Sequence, residues 1–172
     1  MYDQNFTSLP DLHGVPVFYP HGTQLIWISQ NGEITRLSRD TLAAELALGA
    51  VLLCHRRWSA ARAAIDIDHY LDVMELFAFV RPARFVLPTP RGLAQQLGLA
   101  RPQQGEDMAA LLPQIAFTLL DELASTHDGA RTEAGRIATM MTAGGWKGGP
   151  YILAHLGLPQ PPAGPPDSRH AA

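Results

Sequence analysis

Cysteine and lysine are almost missing from this chain. Of 172 residues, Cys54 is the single cysteine, so no internal disulfide can form and a sulfur-rich zinc site is excluded. Of 13 basic residues only Lys147 is a lysine; the rest are arginine, which suits ion pairs and phosphate forks better than a diffuse positive surface. An excess of positive charge is missing too. With a net charge of −3 and a pI of about 6.1, the chain lacks the field with which a protein holds nucleic acid unaided. Long apolar runs are also absent. Ala43 to Leu53 is broken by Glu45 and Gly49, well short of the ~20 residues a bilayer span needs, so no membrane partner is expected. Met1 to Pro10 holds Asp3 and no basic residue ahead of an apolar core, unlike a secretory leader, which makes the cytoplasm the expected location. What is present, 47% hydrophobic and 17% charged residues, suits one ordinary domain.

Along the chain, residues 1–22 mix Pro10, Pro16 and Pro20 with scattered polar groups and predict an irregular lead-in. Thr23 to Ser29 is β-rich, Gln30-Asn31-Gly32 tolerates positive φ, and Glu33 to Leu37 alternates, which predicts a hairpin. Ser38 is placed to cap a helix through Leu42, Leu46 and Leu48, with Gly49 ending it in a left-handed conformation. Ala50 to Cys54 is a short unbroken apolar run, the pattern of a strand buried on both faces. A short helix is expected over Trp58 to Ile65, then a polar loop through Asp66, Asp68 and His69. Val73, Leu76, Phe77 and Val80 share a helical face that Pro82 terminates. Thr89, Pro90 and Gly98 bracket the best-delimited helix, as N-cap, first-turn proline and terminal glycine. The longest amphipathic helix is expected from Glu106 to Leu123, then one capped by Thr132 running to Met141, and a last one over Pro150 to Leu156 ended by Gly157. The domain is thus expected over residues 23–142, a connecting segment over 143–158, and a proline-rich extended tail over 159–172. Early strands alternating with helices predict an α/β layer structure.

Four constellations invite chemistry. Asp66, Asp68, His69, Asp72 and Glu75 could supply oxygen and nitrogen ligands to a cation. Yet Asp-x-Asp on an extended loop points its side chains to alternate faces, and the glycine and terminal glutamate of a calcium loop are missing. The plainer reading is a solvated loop before an acidic first helical turn. Cys54-His55 resembles a nucleophile pair, but strand neighbours face opposite ways. His13, His21, His127, His155 and His170 show no metal-ligand spacing. Arg81, Arg84 and Arg91 form a cluster, with Arg91 in the first turn of a helix whose free amides favour anions. They serve either as a phosphate or partner contact, or they pair internally with Asp72, Glu75 or nearby carbonyls. Gly144-Gly145-Trp146-Lys147-Gly148-Gly149 has the composition of a phosphate loop in the wrong order, since Gly148 stands where Ser or Thr must follow the lysine. The alternative there is a turn with Trp146 packed on the domain.

The stretch Leu71 to Leu99, LDVMELFAFVRPARFVLPTPRGLAQQLGL, with VLLCH upstream, resembles the N-terminal region of bacterial DinG-type ATP-dependent DNA helicases. That region in turn resembles DnaQ-like exonuclease domains of RNase H-like fold. Cys54-His55, Asp72-Val73-Met74-Glu75-Leu76, Pro82 and Leu93 to Gly98 stand in the order of the exonuclease pattern: a His-Asn pair, an Asp-Thr-x-Glu-Leu segment, a proline and a Leu-x-x-x-Leu-Gly helix. The resemblance spans roughly residues 24 to 158. It implies a degenerate RNase H-like α/β layer, with Gly145-Trp146 and Ile152 to Gly157 leading toward a motor.

Such nucleases hold two cations with four carboxylates, and this chain departs from that pattern. LIWIS, read as the opening strand, lacks the Asp-x-Glu, RRWSAARAA after His55 lacks the aspartate, and EDMAALLPQIAF has leucine where a His-x4-Asp motif puts its ligand. Asp72 matches a position that supports structure in the resembling enzymes. The resemblance therefore implies no catalytic residue, no metal and no Walker A motif in this chain. ATP, magnesium and any iron–sulfur cluster are expected only in the parent motor, and the chain is expected to be an isolated or truncated N-terminal piece. Expected partners are the helicase motor domains and single-stranded DNA, with Arg81, Arg84, Arg91 and Trp146 as nucleic-acid or interface contacts. Two rivals stand beside this reading. One is a free-standing interaction module. The other is a metal-dependent 3′–5′ exonuclease, which requires some of Asp66, Asp68, Asp72, Glu106 and Asp107 to converge on an ion.

Overall fold

The computed structural model describes residues 12–161; the first eleven residues of the expected lead-in and most of the expected tail lie outside them. After a short 3-10 turn (Leu12–Gly14), the chain forms β1 (Val17–His21), β2 (Gln24–Ile28), β3 (Ile34–Leu37), α1 (Arg39–Leu46), β4 (Val51–Leu53), α2 (Arg56–Ala63), β5 (Tyr70–Asp72) and α3 (Val73–Val80). Four further helices follow: α4 (Pro90–Leu97), α5 (Gly105–Ala124), α6 (Asp128–Ala143) and α7 (Gly149–His155). The fold is α/β, built on one mixed sheet of order β3-β2-β1-β4-β5. β2 is antiparallel to β1 and to β3, while β4 runs parallel to β1 and to β5.

Side-chain alternation assigns the buried strand residues to one of two cores. On one face Phe18, Trp27, Val51 and Leu53 pack with Leu42 and Leu46 of α1, Ala63 of α2 and Ile67. On the other, Val17, Tyr19, Ile26, Leu52 and Leu71 meet α3, α4 and α5 in the larger core, which α6 and α7 extend through Ala138, Tyr151, Ile152 and Leu153. α5 lies across β1 and β2, and its Leu112, Ile115, Ala116 and Leu119 are fully buried. The buried hydrophobic stripe at helical spacing is what fixes this helix against the sheet.

The hairpin, the buried run at β4 and the α4 helix stand as the sequence predicts. Thr89 Oγ1 accepts from the Gly92 amide at 3.0 Å, and Gly98 ends α4 at φ +69°. Five expectations are corrected. Residues 17–21, taken for irregular lead-in, form the central strand. Pro20 is tolerated there because β4 has only three residues and leaves that side of β1 unpaired beyond its end; proline then removes no ladder bond. A second strand, β5, follows the expected polar loop. α1 stops at Leu46 with Ala47 as its cap in a right-handed conformation, and Leu48 lies outside it and exposed, so Gly49 does not end the helix. α2 begins at Arg56, two residues before the expected Trp58. α6 begins at Asp128, not at Thr132, because His127 Nδ1 caps the Ala130 amide at 3.1 Å.

Candidate functional site: a cleft where the parallel strands end

The chain leaves β1 toward β2 on one side and leaves β4 toward β5 on the other. Between the ends of β1 and β4 the strand order reverses, which is where open α/β sheets form crevices for ligands. A cleft of about 290 Å³ opens there, lined by Tyr19, Cys54, His55 and Trp58 and by the Pro88-Thr89-Pro90 turn that enters α4.

Each wall has a local cause. Tyr19 is the third residue of β1, and its ring faces the larger core, where its hydroxyl donates to Met108 Sδ of α5 at 3.3 Å. Burial pushes the Tyr19 phenol above its ordinary pKa, aided by neighbouring Cys54 and opposed by the charge of Arg91. Tyr19 lies 6.0 Å from the Trp58 ring and 6.3 Å from the His21 ring, centroid to centroid. His21 is confined by Gly105 at the start of α5, where a Cβ would come within 2.8 Å of the imidazole. Cys54 is buried, and burial with the charge of Asp72 pushes its thiol far up, so it stays protonated and is a poor nucleophile.

His55 is where the chain turns from β4 into α2. It holds a left-handed conformation, φ 63° and ψ 79°, while Nδ1 accepts the Trp58 amide at 3.1 Å. That bond uses the lone pair a nucleophile pair would need, and it leaves Nε2 as the protonated nitrogen. Trp58, 40% exposed, is thereby carried to the cleft on the first turn of α2.

Asp72 stands beside the cleft with a different task. Buried at the end of β5, it accepts the amides of His55 at 2.9 Å, Arg56 at 2.7 Å and Met74 at 2.9 Å. One carboxylate thus caps both α2 and α3. The other acidic candidates are also occupied or apart. Glu106 pairs with Arg36 on β3. Asp107 accepts the Gln103 and Gln104 amides at the start of α5, Asp68 lies 3.9 Å from Arg56, and Asp66 is exposed. Among the described residues no three His, Cys, Asp or Glu side chains form a group that could hold a metal ion, so the convergence required of a two-cation nuclease is not found there.

The three arginines stand in different surroundings. Arg81 forks onto Glu122 of α5, with Nε and Nη2 donating at 2.8 to 3.1 Å, and its Nη1 donates to the Gln96 carbonyl at 2.8 Å. Arg91 Nη2 donates to the Pro102 carbonyl at 3.3 Å, and its Nε is buried with no hydrogen-bond partner. Arg84 is exposed, beside Phe85 at 81% exposure. Of the expected internal partners, Asp72 and Glu75 hold none of the three, while backbone carbonyls hold Arg81 and Arg91.

Trp146 is packed on the domain: Nε1 donates to Glu75 at 2.8 Å, and the ring stacks on Phe79 at 5.2 Å. Burial raises the Glu75 pKa, the Asp72 charge raises it further, and the bond from Trp146 works against both. Trp146 also lines an apolar groove of about 730 Å³ between α3 and α6, with Phe79, Ile137 and Met141.

Sequence reasoning missed Tyr19, His21 and Trp58. The available signal was Val17-Phe18-Tyr19, a β-branched and aromatic run that the flanking prolines obscured. In the comparisons with known proteins, no family model, no curated protein and no solved structure matches the chain.

Proposed function

We propose that the chain is a nuclease-like domain without nuclease chemistry, working within a DinG-type ATP-dependent DNA helicase, where it steers single-stranded DNA and docks on the motor. The observation that carries this reading is the edge where β1 and β4 end. It presents Tyr19, His21, Cys54, His55 and Trp58, and its buried acid, Asp72, is committed to three backbone amides. Cleavage assisted by two cations needs free carboxylates at such an edge. The strand order β3-β2-β1-β4-β5, with β2 alone opposed to the other four, supports the RNase H-like layer that the resemblance implies, and fold likeness by itself assigns no activity. The groove beside Trp146 is the surface we assign to the motor, because its lining is mostly apolar and such exposed patches mark interaction sites.

Two measurements test the reading. The DNA downstream of codon 172 should continue as an open frame encoding G-x4-G-K-[ST]; a stop codon there in many independent genomes favours the free-standing module instead. The purified chain should leave single-stranded DNA intact and ATP unhydrolysed in magnesium. Magnesium-dependent shortening of the strand, or ATP turnover, overturns it.

A further inference from the structure

We infer that the cleft between β1 and β4 is a stacking slot for a single nucleobase, and that it takes the base without a divalent cation. The inference rests on the reading of this domain as one that contacts single strands, and it specifies what the contact is. Three observations converge on it. The cleft lies at the one place where the sheet order reverses, outside the ends of parallel strands, the position at which such sheets bind ligands. Its lining is mostly apolar, the indole of Trp58 at 40% exposure with Tyr19, Pro88 and Pro90, and at about 290 Å³ it lies at the small end of ligand sites. Its polar groups are few and of one kind. His55 Nδ1 and Thr89 Oγ1 each accept a backbone amide, so His55 Nε2–H and the Thr89 hydroxyl proton are left as donors on two residues that line the cleft.

A flat heteroaromatic edged with acceptors matches that inventory, and a nucleobase is such a ring. The backbone at His55 adds to the argument. A non-glycine residue held in the left-handed region is costly and is retained where a side chain must be aimed, and here it places both the donor and, one turn later, Trp58. The overall charge decides how the base is held. At net −3 the chain gains little from counterion release, so binding must come from stacking, which every base supplies through its π-face.

The test uses the full chain, a 5′-fluorescein-labelled dT12 strand and anisotropy, in EDTA. The labelled strand should bind with EDTA present, with only a shallow dependence on salt. Trp58→Ala, checked for an unchanged circular dichroism spectrum, should weaken binding about tenfold or more, and Trp58→Phe should recover part of the loss. Competition by unlabelled dTMP assigns the source of the base: displacement at concentrations similar to those of unlabelled dT12 points to free nucleotides, and displacement by dT12 alone points to a strand. Binding that persists unchanged in Trp58→Ala overturns the slot, as does binding that requires magnesium, or no binding of either probe. Those outcomes leave the downstream-frame test of the helicase reading untouched, so the two can fail separately.

Discussion

Asp72 and Tyr19 stand on two strands that flank β4, yet their surroundings are opposite in kind. At Asp72 backbone amides take three of the carboxylate's roughly four acceptor sites, and the carboxylate works as mortar between α2, β5 and α3. At Tyr19 the neighbours are rings, a buried thiol and a cleft with unmet donors. The difference shows how position along a sheet edge separates a structural acid from a chemical one. A carboxylate whose two oxygens both accept backbone amides holds the chain together, and it has little capacity left for an ion.

Breaking the Asp72 side of this contrast should have the largest effect. Asp72→Ala strips acceptors from three amides at once; the loss of a buried, hydrogen-bonded charge from its partners costs about 3–5 kcal/mol. Urea denaturation should show that loss, and Asp72→Asn should retain part of the stability. A midpoint unchanged in Asp72→Ala would erase the distinction drawn here. The hinge between the two regions comes next. His55→Ala loses the cap on Trp58 and places alanine in the left-handed region, for about 1–2 kcal/mol, whereas His55→Asn keeps both a capping oxygen and tolerance of that backbone and should cost well under 1 kcal/mol.

Arg81 separates the two readings of the arginine cluster. Its fork onto Glu122 is partly exposed, so Arg81→Ala should cost about 1 kcal/mol or less and leave binding of the labelled strand unaltered. A large loss of binding with unchanged stability would return Arg81 to the nucleic-acid contacts.

The smallest effect is a pH dependence at Glu75. Its pKa in the folded chain is raised, by burial first and then by Asp72. The stability it contributes is therefore present below the ordinary carboxylate range and lost as pH rises through the raised value. The urea midpoint of Glu75→Gln relative to the parent should then improve between pH 4 and pH 7. A difference that stays flat, or moves the other way, would show that the Trp146 bond outweighs burial.

Much of the scaffold was readable because its signals are local. Thr89, Pro90 and Gly98 each act on their own turn of α4, and the stripe of Leu112, Ile115 and Leu119 repeats at a helical period over a long helix. The cleft was unreadable because it is assembled from Tyr19 of β1, Trp58 of α2 and Pro88 of the turn into α4, three residues that meet only in the folded chain. β1 was hidden for a specific reason. Proline argues against a central strand, and the exception depends on how short the neighbouring strand is, which the sequence of β1 does not contain. β5 has three residues, too few to show alternation. The His127 and His55 caps escaped because imidazole is not among the usual helix-starting side chains. The ion pair of Arg81 was unreadable because Glu122, its partner, lies forty-one positions further along the chain.

The reach of Asp72 has a bearing on how the chain comes together in time. Its bonds to the amides of residues 55 and 56 span 17 and 16 positions, and they close only when β5 has arrived beside β4. Parallel pairing across such a crossover is a slow, non-local event, so α2 must wait for its second cap. Contacts made after the rate-limiting barrier govern how fast a protein comes apart more than how fast it assembles. We expect Asp72→Asn to steepen escape from the native state while the refolding arm of its chevron stays close to that of the parent. A slowed refolding arm would place this junction in the nucleus instead.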